Sequence, residues 1–311
     1  MKHLTMPVTK HDIIPLLAMI KQKGSFDNEF YPVIDQLVAT VGEMKREAII
    51  NEHEMDEIRS FFGQDFLENT LQGMALLKKY GYAGDFIMID KIYTGNPSGN
   101  PFFHSWDAYF NNHAAPKAVR NRKQYFKQLV LKKLEANKRV KLLNVASGPA
   151  RDLLELYAEM PATKTLETLC IEMDSHAIVY AEKLTQAHAA DIRFINKNIF
   201  KFDTDEKFDL IWSAGLFDYF DDKAFVYVLS KFRNWVSGQG EIVIGNFNES
   251  HNPSREYMEL FGNWYLHHRS ADELKALAME AGFNESQLTI GAEVENVNLF
   301  LHIRIGNALT A

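Results

Sequence analysis

From residue 140 onward, short apolar runs alternate with amphipathic stretches, and this alternation limits the possible folds more than any other feature of the chain. Residues 140–146, 168–172, 192–196, 208–213 and 241–246 read as strands. Helical patterns fill 152–158, 176–187, the stretch from 213 to about 235, and 271–281. Ser270 with Glu273 three residues on forms a capping-box pattern at the start of the last of these helices. Strands separated by helices must be joined by crossovers, which give parallel strands covered by helices on both faces. Two further apolar runs, 288–294 and 297–305, lie too close together for a crossover and read as an antiparallel hairpin. The expected fold class is therefore α/β: a doubly wound, Rossmann-like sheet closed by a C-terminal antiparallel hairpin. In such sheets ligands bind at the carboxyl ends of the strands.

The first third of the chain reads differently. Apolar residues recur at three- and four-residue steps, as in Ile13, Leu16, Leu17 and Ile20, then Val33, Leu37, Val41 and Met44. Gly24-Ser25 breaks the first pair of helices, and Gly81-Tyr82-Ala83-Gly84-Asp85 ends the helical run. Residues 94–101 are dense in turn formers and read as a flexible loop. A helix follows over 114–137, with Val119, Phe126, Leu129, Val130 and Leu134 on its apolar side. Two domains are expected: an N-terminal helical or lid domain over 1–113 and a catalytic domain over 114–311.

Charge and composition exclude several functions. The net charge is −7, whereas binding nucleic acid by its phosphates needs a basic surface. The Lys- and Arg-rich run 117–141 reads as a solvated helix face. The eleven histidines are scattered and none shares a zinc spacing with the one cysteine, so no metal site is expected. Cys170 lies in the apolar run Leu169-Cys170-Ile171, where a buried, inert thiol is expected. No apolar run approaches the length of a membrane span, and residues 1–7 lack a signal-peptide core. These features together point to the cytoplasm, to no membrane insertion and to a small-molecule partner. A homodimer stays open.

The first strand of the alternating region runs into Asn144-Val145-Ala146-Ser147-Gly148-Pro149-Ala150. A turn of small residues lets a ligand approach the backbone, and the helix after it presents unpaired N–H groups. The second strand ends in Glu172-Met173-Asp174. An acid there can accept the hydroxyl protons of a ribose. Asp174 and Ser175 suit the cap of the next helix, which leaves the ribose role to Glu172. Turn and acid together point to a nucleoside-containing cofactor. A nicotinamide dinucleotide fits less well, because Arg151 would stand where the third glycine of its fingerprint allows close packing.

The run Leu142-Leu143-Asn144-Val145-Ala146-Ser147-Gly148-Pro149-Ala150-Arg151-Asp152 resembles motif I of class I S-adenosylmethionine-dependent methyltransferases. Residues 170–174 resemble their ribose-binding motif, 193–199 their adenine-binding segment and 208–219 the motif on the fourth strand. The resemblance implies that Ala146, Ser147, Gly148 and Pro149 line the methionine end. It puts Met173 on the adenine, Asn198 and Ile199 at the adenine edge, and Ser213 and Ala214 near the sulfonium. A narrower resemblance rests on Gly81-Tyr82-Ala83-Gly84-Asp85, residues 114–122, residues 213–219 and Trp264-Tyr265-Leu266-His267-His268-Arg269-Ser270. These resemble bacterial methyltransferases assigned to the formation of 3-hydroxypalmitic acid methyl ester. That likeness implies methylation of the carboxylate of a hydroxy fatty acid.

Methyl transfer from a sulfonium is an in-line displacement, so the acceptor must be aligned and water kept out. A carboxylate acceptor needs a positive or hydrogen-bonding partner, for which Arg120, Arg122, His113, His267 and Arg269 are candidates. Arg122 equally suits the methionine carboxylate, and Trp264 suits a pocket wall. An amine or hydroxyl acceptor needs a base, for which His113, Asp218 and His251 are candidates. Asp218 and its neighbour Tyr219 follow the fourth strand, where ligands bind. The motif Ala-Ser-Gly-Pro-Ala also admits a second class, an adenosyl-binding protein without catalysis that regulates or binds a partner.

Overall fold

A computed structural model describes residues 9–23 and 26–306. The Gly24-Ser25 break and the N-terminal segment 1–7 read above lie outside the described residues. The chain divides into two compact units. One comprises Met1–Lys117 with Pro253–Tyr265, and the other Ala118–Asn252 with Leu266–Ala311. A division after residue 113 leaves out the Pro253–Tyr265 insertion, which folds with the helical unit.

The second unit holds a seven-stranded sheet in the order β3-β2-β1-β4-β5-β7-β6. Its strands are β1 (Arg139–Val145), β2 (Thr165–Glu172), β3 (Ile192–Asn196), β4 (Phe208–Ser213), β5 (Val236–Phe247), β6 (Leu288–Ala292) and β7 (Asn298–Arg304). β1 to β5 run parallel to one another, and β7 pairs antiparallel with both β5 and β6. The fold is therefore Rossmann-like, with the expected C-terminal hairpin. Strand order reverses between β1 and β4, so the ligand crevice opens at their carboxyl ends.

Strand alternation divides the core between the two faces of the sheet. Leu143, Val145, Leu169, Ile211 and Ile244 form one cluster with Phe225, Phe232 and Leu274. The last three come from the crossover helices Asp222–Trp235 and Ala271–Glu280. Leu142, Cys170, Leu210, Trp212 and Phe300 form the other cluster with Phe126, Val130, Leu153 and Leu156. These four come from the helices Ala114–Ala136 and Arg151–Glu159. Burying each large apolar side chain contributes about 1.5–3 kcal/mol. Cys170 is fully buried and unpaired by disulfide, and burial raises its thiol pKa well above the usual value.

Three local expectations are revised. The basic run is a solvated face only in part: Lys132, Lys138 and Arg139 are exposed. Lys123 and Lys127 are buried, and their ammonium groups reach Glu155 at 2.5 and 3.1 Å and Glu159 at 2.6 Å. β5 is longer than 241–246, because Ser237-Gly238-Gln239-Gly240 stays extended and a register shift falls between Phe208 and Leu210. The turn-rich segment 94–101 is tied down, since the Ser98 N–H donates to the buried Asp107 carboxylate, which also accepts from the Leu71 N–H at 2.8 Å. The Ser270–Glu273 capping box forms as read.

The helical unit contains the helices Ile13–Lys23, Tyr31–Arg46, Glu52–Ser60, Gly63–Asn69, Leu71–Leu77, Phe86–Thr94 and His104–Asn112. A π-helical turn, Tyr257–Phe261, comes from the insertion. Aromatic rings fill its centre: Trp106 meets Phe62 and Phe66 edge-on, and Tyr109 meets Tyr31 and Tyr257. Arg59 holds the insertion through the carbonyls of Leu260 at 2.8 Å and Glu259 at 3.3 Å. Among the described residues no helix is long and apolar enough to cross a membrane.

Candidate active site

The loop after β1 is built by three left-handed residues within five positions. Ala146 has φ 56°, Gly148 φ 55° and Ala150 φ 54°. For an alanine this conformation costs on the order of 1–3 kcal/mol, and such strain collects where a ligand is bound. The Ala146 N–H first completes the ladder by donating to the Ile171 carbonyl at 2.8 Å. The chain then turns, and the Ala150 N–H donates to the Ser147 carbonyl at 3.2 Å. A Cβ built at Gly148 would meet no atom within 4 Å. The glycine therefore serves backbone conformation and close approach, not internal packing.

Glu172 at the end of β2 is drawn to this loop. Its Oε2 accepts the Gly148 N–H at 2.9 Å, and its Oε1 accepts the N–H groups of Met173 at 2.7 Å and Asp174 at 3.0 Å. Burial nonetheless raises its pKa, against the lowering effect of those three N–H groups. Asp174 instead caps the following helix, accepting the His176 N–H at 2.8 Å. Met173 is 64% exposed, and the Asn198 amide donates to its sulfur at 3.3 Å. The Asn198 Oδ1 accepts the Phe200 N–H at 2.9 Å, and Ile199 is buried in the core cluster.

Arg122 reaches the adjacent strand end. Its Nη1 donates to the Ala214 carbonyl at 2.8 Å. Its charge acts on two buried carboxyls. Burial pushes Asp152 up to about 6 against the pull of Arg122 and the Leu153 N–H. Burial also pushes Asp218 up to about 7, against the Phe247 N–H at 2.6 Å and the charges of Arg122 and Arg269.

The remaining candidates separate by environment. Ser213 is fully buried, and its hydroxyl donates to the Val145 carbonyl at 3.2 Å, tying β4 to β1. Arg269 is buried over the Phe225 ring and donates to the carbonyls of Phe217 and Phe220, to Asn246 Oδ1 and to Asp222. Those bonds occupy all of its N–H donors, so Arg269 anchors the fold and has none left for a ligand. Tyr219 and His267 are exposed, and the His267 N–H donates to the Asp218 carbonyl at 2.7 Å. Arg120 lies on the helix Ala114–Ala136, within the field of Glu295. His113 and Trp264 belong to the helical unit. His113 stacks on Tyr257 at 4.4 Å, and burial lowers its pKa to about 4. Trp264 packs so closely on Gly84 that a Cβ there would come within 2.4 Å.

Asn298 escapes a reading of motifs, whereas Asn144 stands inside the motif I run. Asn144 Nδ2 and both side-chain polar atoms of Asn298 are buried without a partner. The available signal is a lone amide inside an apolar run at an inward-facing register, Leu143-Asn144-Val145 and Val297-Asn298-Leu299.

Residues 136–285 match the family model of a methyltransferase domain. No curated protein matches the sequence. Among solved structures, a possible exported protein from Bordetella parapertussis is 19% identical, over 72% of this chain and 80% of its own, with a TM-score of 0.60. The S-adenosylmethionine-dependent methyltransferase SibL, in its apo form, is 13% identical over 86% and 77%, with a TM-score of 0.50. The N-methyltransferase NodS from Bradyrhizobium japonicum, in complex with S-adenosyl-L-homocysteine, is 18% identical over 60% and 87%, with a TM-score of 0.44. For the first two, at these identities, the likeness is one of fold. The match covers just under half of the chain, and the matched methyltransferase domain implies S-adenosylmethionine as cofactor.

Proposed function

We propose that the chain transfers the methyl group of S-adenosylmethionine to a small, apolar acceptor held at the carboxyl edge of the sheet. The observation that carries this reading is the bond between Gly148 and Glu172, which joins the strained loop and the acid on neighbouring strands. The residues fit an adenosyl group. Glu172 Oε2 accepts one N–H and keeps lone-pair capacity for a ribose hydroxyl. The exposed Met173 side chain offers an apolar surface to a base. Arg122 brings positive charge to the side of the loop suited to the methionine carboxylate. When bound, the cofactor supplies an electrophilic methyl group on a sulfonium.

The chain's own residues hold and orient the reactants. Orientation of this kind lowers a barrier by up to about 7–11 kcal/mol. The finer part of the proposal concerns the acceptor. The resemblance in residues 81–85, 114–122, 213–219 and 264–270 supports the carboxylate of a hydroxy fatty acid. A carboxylate is ionised at neutral pH and needs no base. Arg120, Tyr219 and His267 are the residues we assign to its positioning. Asp218 acts through the groups it holds, since its carboxylate already accepts the Phe247 N–H at 2.6 Å.

Calorimetric titration with S-adenosylmethionine and with its demethylated product tests the reading. Micromolar binding of both is expected. A hydrogen bond to a charged group contributes about 1.5–3 kcal/mol, so Glu172→Ala should weaken binding about 10–100-fold. Absence of heat with either compound would overturn the proposal, and unchanged affinity in the variant would remove Glu172 from the ribose.

A further inference from the structure

A buried polar atom without a hydrogen-bond partner costs about 1–3 kcal/mol, so each one in a fold calls for an explanation. Asn298 carries two. It is 0% exposed, and neither Oδ1 nor Nδ2 has a partner. Its backbone, by contrast, is fully used. The Asn298 N–H donates to Glu293 Oε1 at 3.0 Å, and its carbonyl accepts the Glu293 N–H at 3.4 Å. Glu293 also accepts from the N–H groups of Glu295 and Val297 and from the Asn121 amide. The turn before β7 is thus complete without the Asn298 side chain.

The position of this amide gives it a direction. Asn298 pairs with Phe247, the last residue of β5, and so stands at the carboxyl edge of the sheet. Phe300, two residues on, packs with Phe126 and Trp212, whereas Leu299 and Leu301 belong to the opposite cluster. By strand alternation Asn298 shares the face of Phe300 and Trp212. On that face, between Asn144 of β1 and Asn298 of β7, lies the end of β4, where Arg122 meets the Ala214 carbonyl.

We propose that Asn298 is a specificity-determining residue that binds a hydroxyl group of the methyl acceptor. An amide presents a donor and an acceptor side by side. A hydroxyl both donates and accepts, and so satisfies Nδ2 and Oδ1 together. A carboxylate only accepts, and would leave Oδ1 facing an anion. The hydroxyl is therefore a second recognition group, separate from the methylated atom. This inference rests on the reading of the edge as the site of methyl transfer.

Asn298→Leu removes both polar atoms at similar volume, and two measurements on the full chain read its effect. The first compares kcat/KM for 3-hydroxyhexadecanoate and hexadecanoate, with affinity for S-adenosylmethionine as the control. A site built around a substrate hydroxyl rejects the analogue lacking it strongly, so the native protein should prefer the hydroxy acid by at least about 100-fold. In the variant the two acids should react within about threefold of each other, because the advantage of the hydroxy acid is lost, with cofactor affinity unchanged. A preference that survives the substitution overturns the proposal. The second measurement is the Tm without acceptor. Removing two unpartnered atoms should raise it by about 2–4 °C, whereas a fall means that the amide is satisfied inside the fold and overturns the proposal. If neither acid is methylated although S-adenosylmethionine binds, the fatty-acid reading fails. Calorimetry then decides alone: a rise sustains the ligand-facing amide and a fall removes it.

Discussion

The two edges of the sheet treat their carboxylates in opposite ways. At the carboxyl edge Glu172, Asp152 and Asp218 are all raised in pKa, with burial the largest cause each time. At the amino edge Glu241 is held down to about 2, although it too is buried, because His302, Lys133 and Arg304 lie at 2.8, 2.9 and 3.3 Å. Glu206, beside Lys141 and Arg193, is lowered in the same way. Burial is common to both edges, and charge compensation is what separates them. A fold that pairs its acids at one end and leaves them short of cations at the other keeps local electrostatic free energy where a cation can use it. A sulfonium is such a cation.

Substitutions at the two edges should therefore part company. The largest effect is expected from Glu241→Gln, which leaves three cationic or basic groups around a neutral amide. Breaking a buried ion pair from one side costs about 3–5 kcal/mol, to be read by denaturant unfolding, while affinity for S-adenosylmethionine stays unchanged. Loss of cofactor affinity with stability intact would reverse the assignment of the edges. Asp218→Asn should do the opposite. The folded carboxyl titrates near 7, above its ordinary 3.8, so the folded state holds a proton that the unfolded chain releases between those values. The stability this proton gives is present at low pH and lost as pH rises through 7. The variant should thus gain up to about 4 kcal/mol over the native chain at pH 8 and little at pH 4. An equal change at both pH values would mean that Asp218 does not titrate as a buried acid. The smallest effect belongs to Glu206→Gln. Its partners are half exposed, so the loss should be about 0.5 kcal/mol and should vanish at high salt.

Much of this contrast was legible one element at a time. Apolar alternation locates β1 to β4 and the hairpin because each strand's burial is written in its own residues. That Asp174 caps the next helix follows from its place just past the strand end. The Ser270–Glu273 box needs only a spacing of three. What stays hidden depends on partners distant in sequence. Lys127 reads as surface charge until Glu159, thirty-two positions away, arrives beside it. Arg269 reads as a ligand for an anion, yet its donors are taken by backbone carbonyls on either side of Asp218, an amide on β5 and the Asp222 carboxylate. The Pro253–Tyr265 insertion joins the helical unit through Arg59, about two hundred positions earlier. Asn298 is hidden for another reason: a sequence does not reveal which buried amide lacks a partner.

The single cysteine has a practical consequence. Cys170 sits on β2 between two hydrogen-bonded strands, opposite Asn144 and Phe194, with its sulfur fully enclosed. A thiol reagent can reach it only after the middle of the sheet has separated, so labelling of the native protein is set by the rate of that opening. The chain thus carries a built-in clock for its own unfolding, and ageing in air cannot crosslink intact molecules through sulfur.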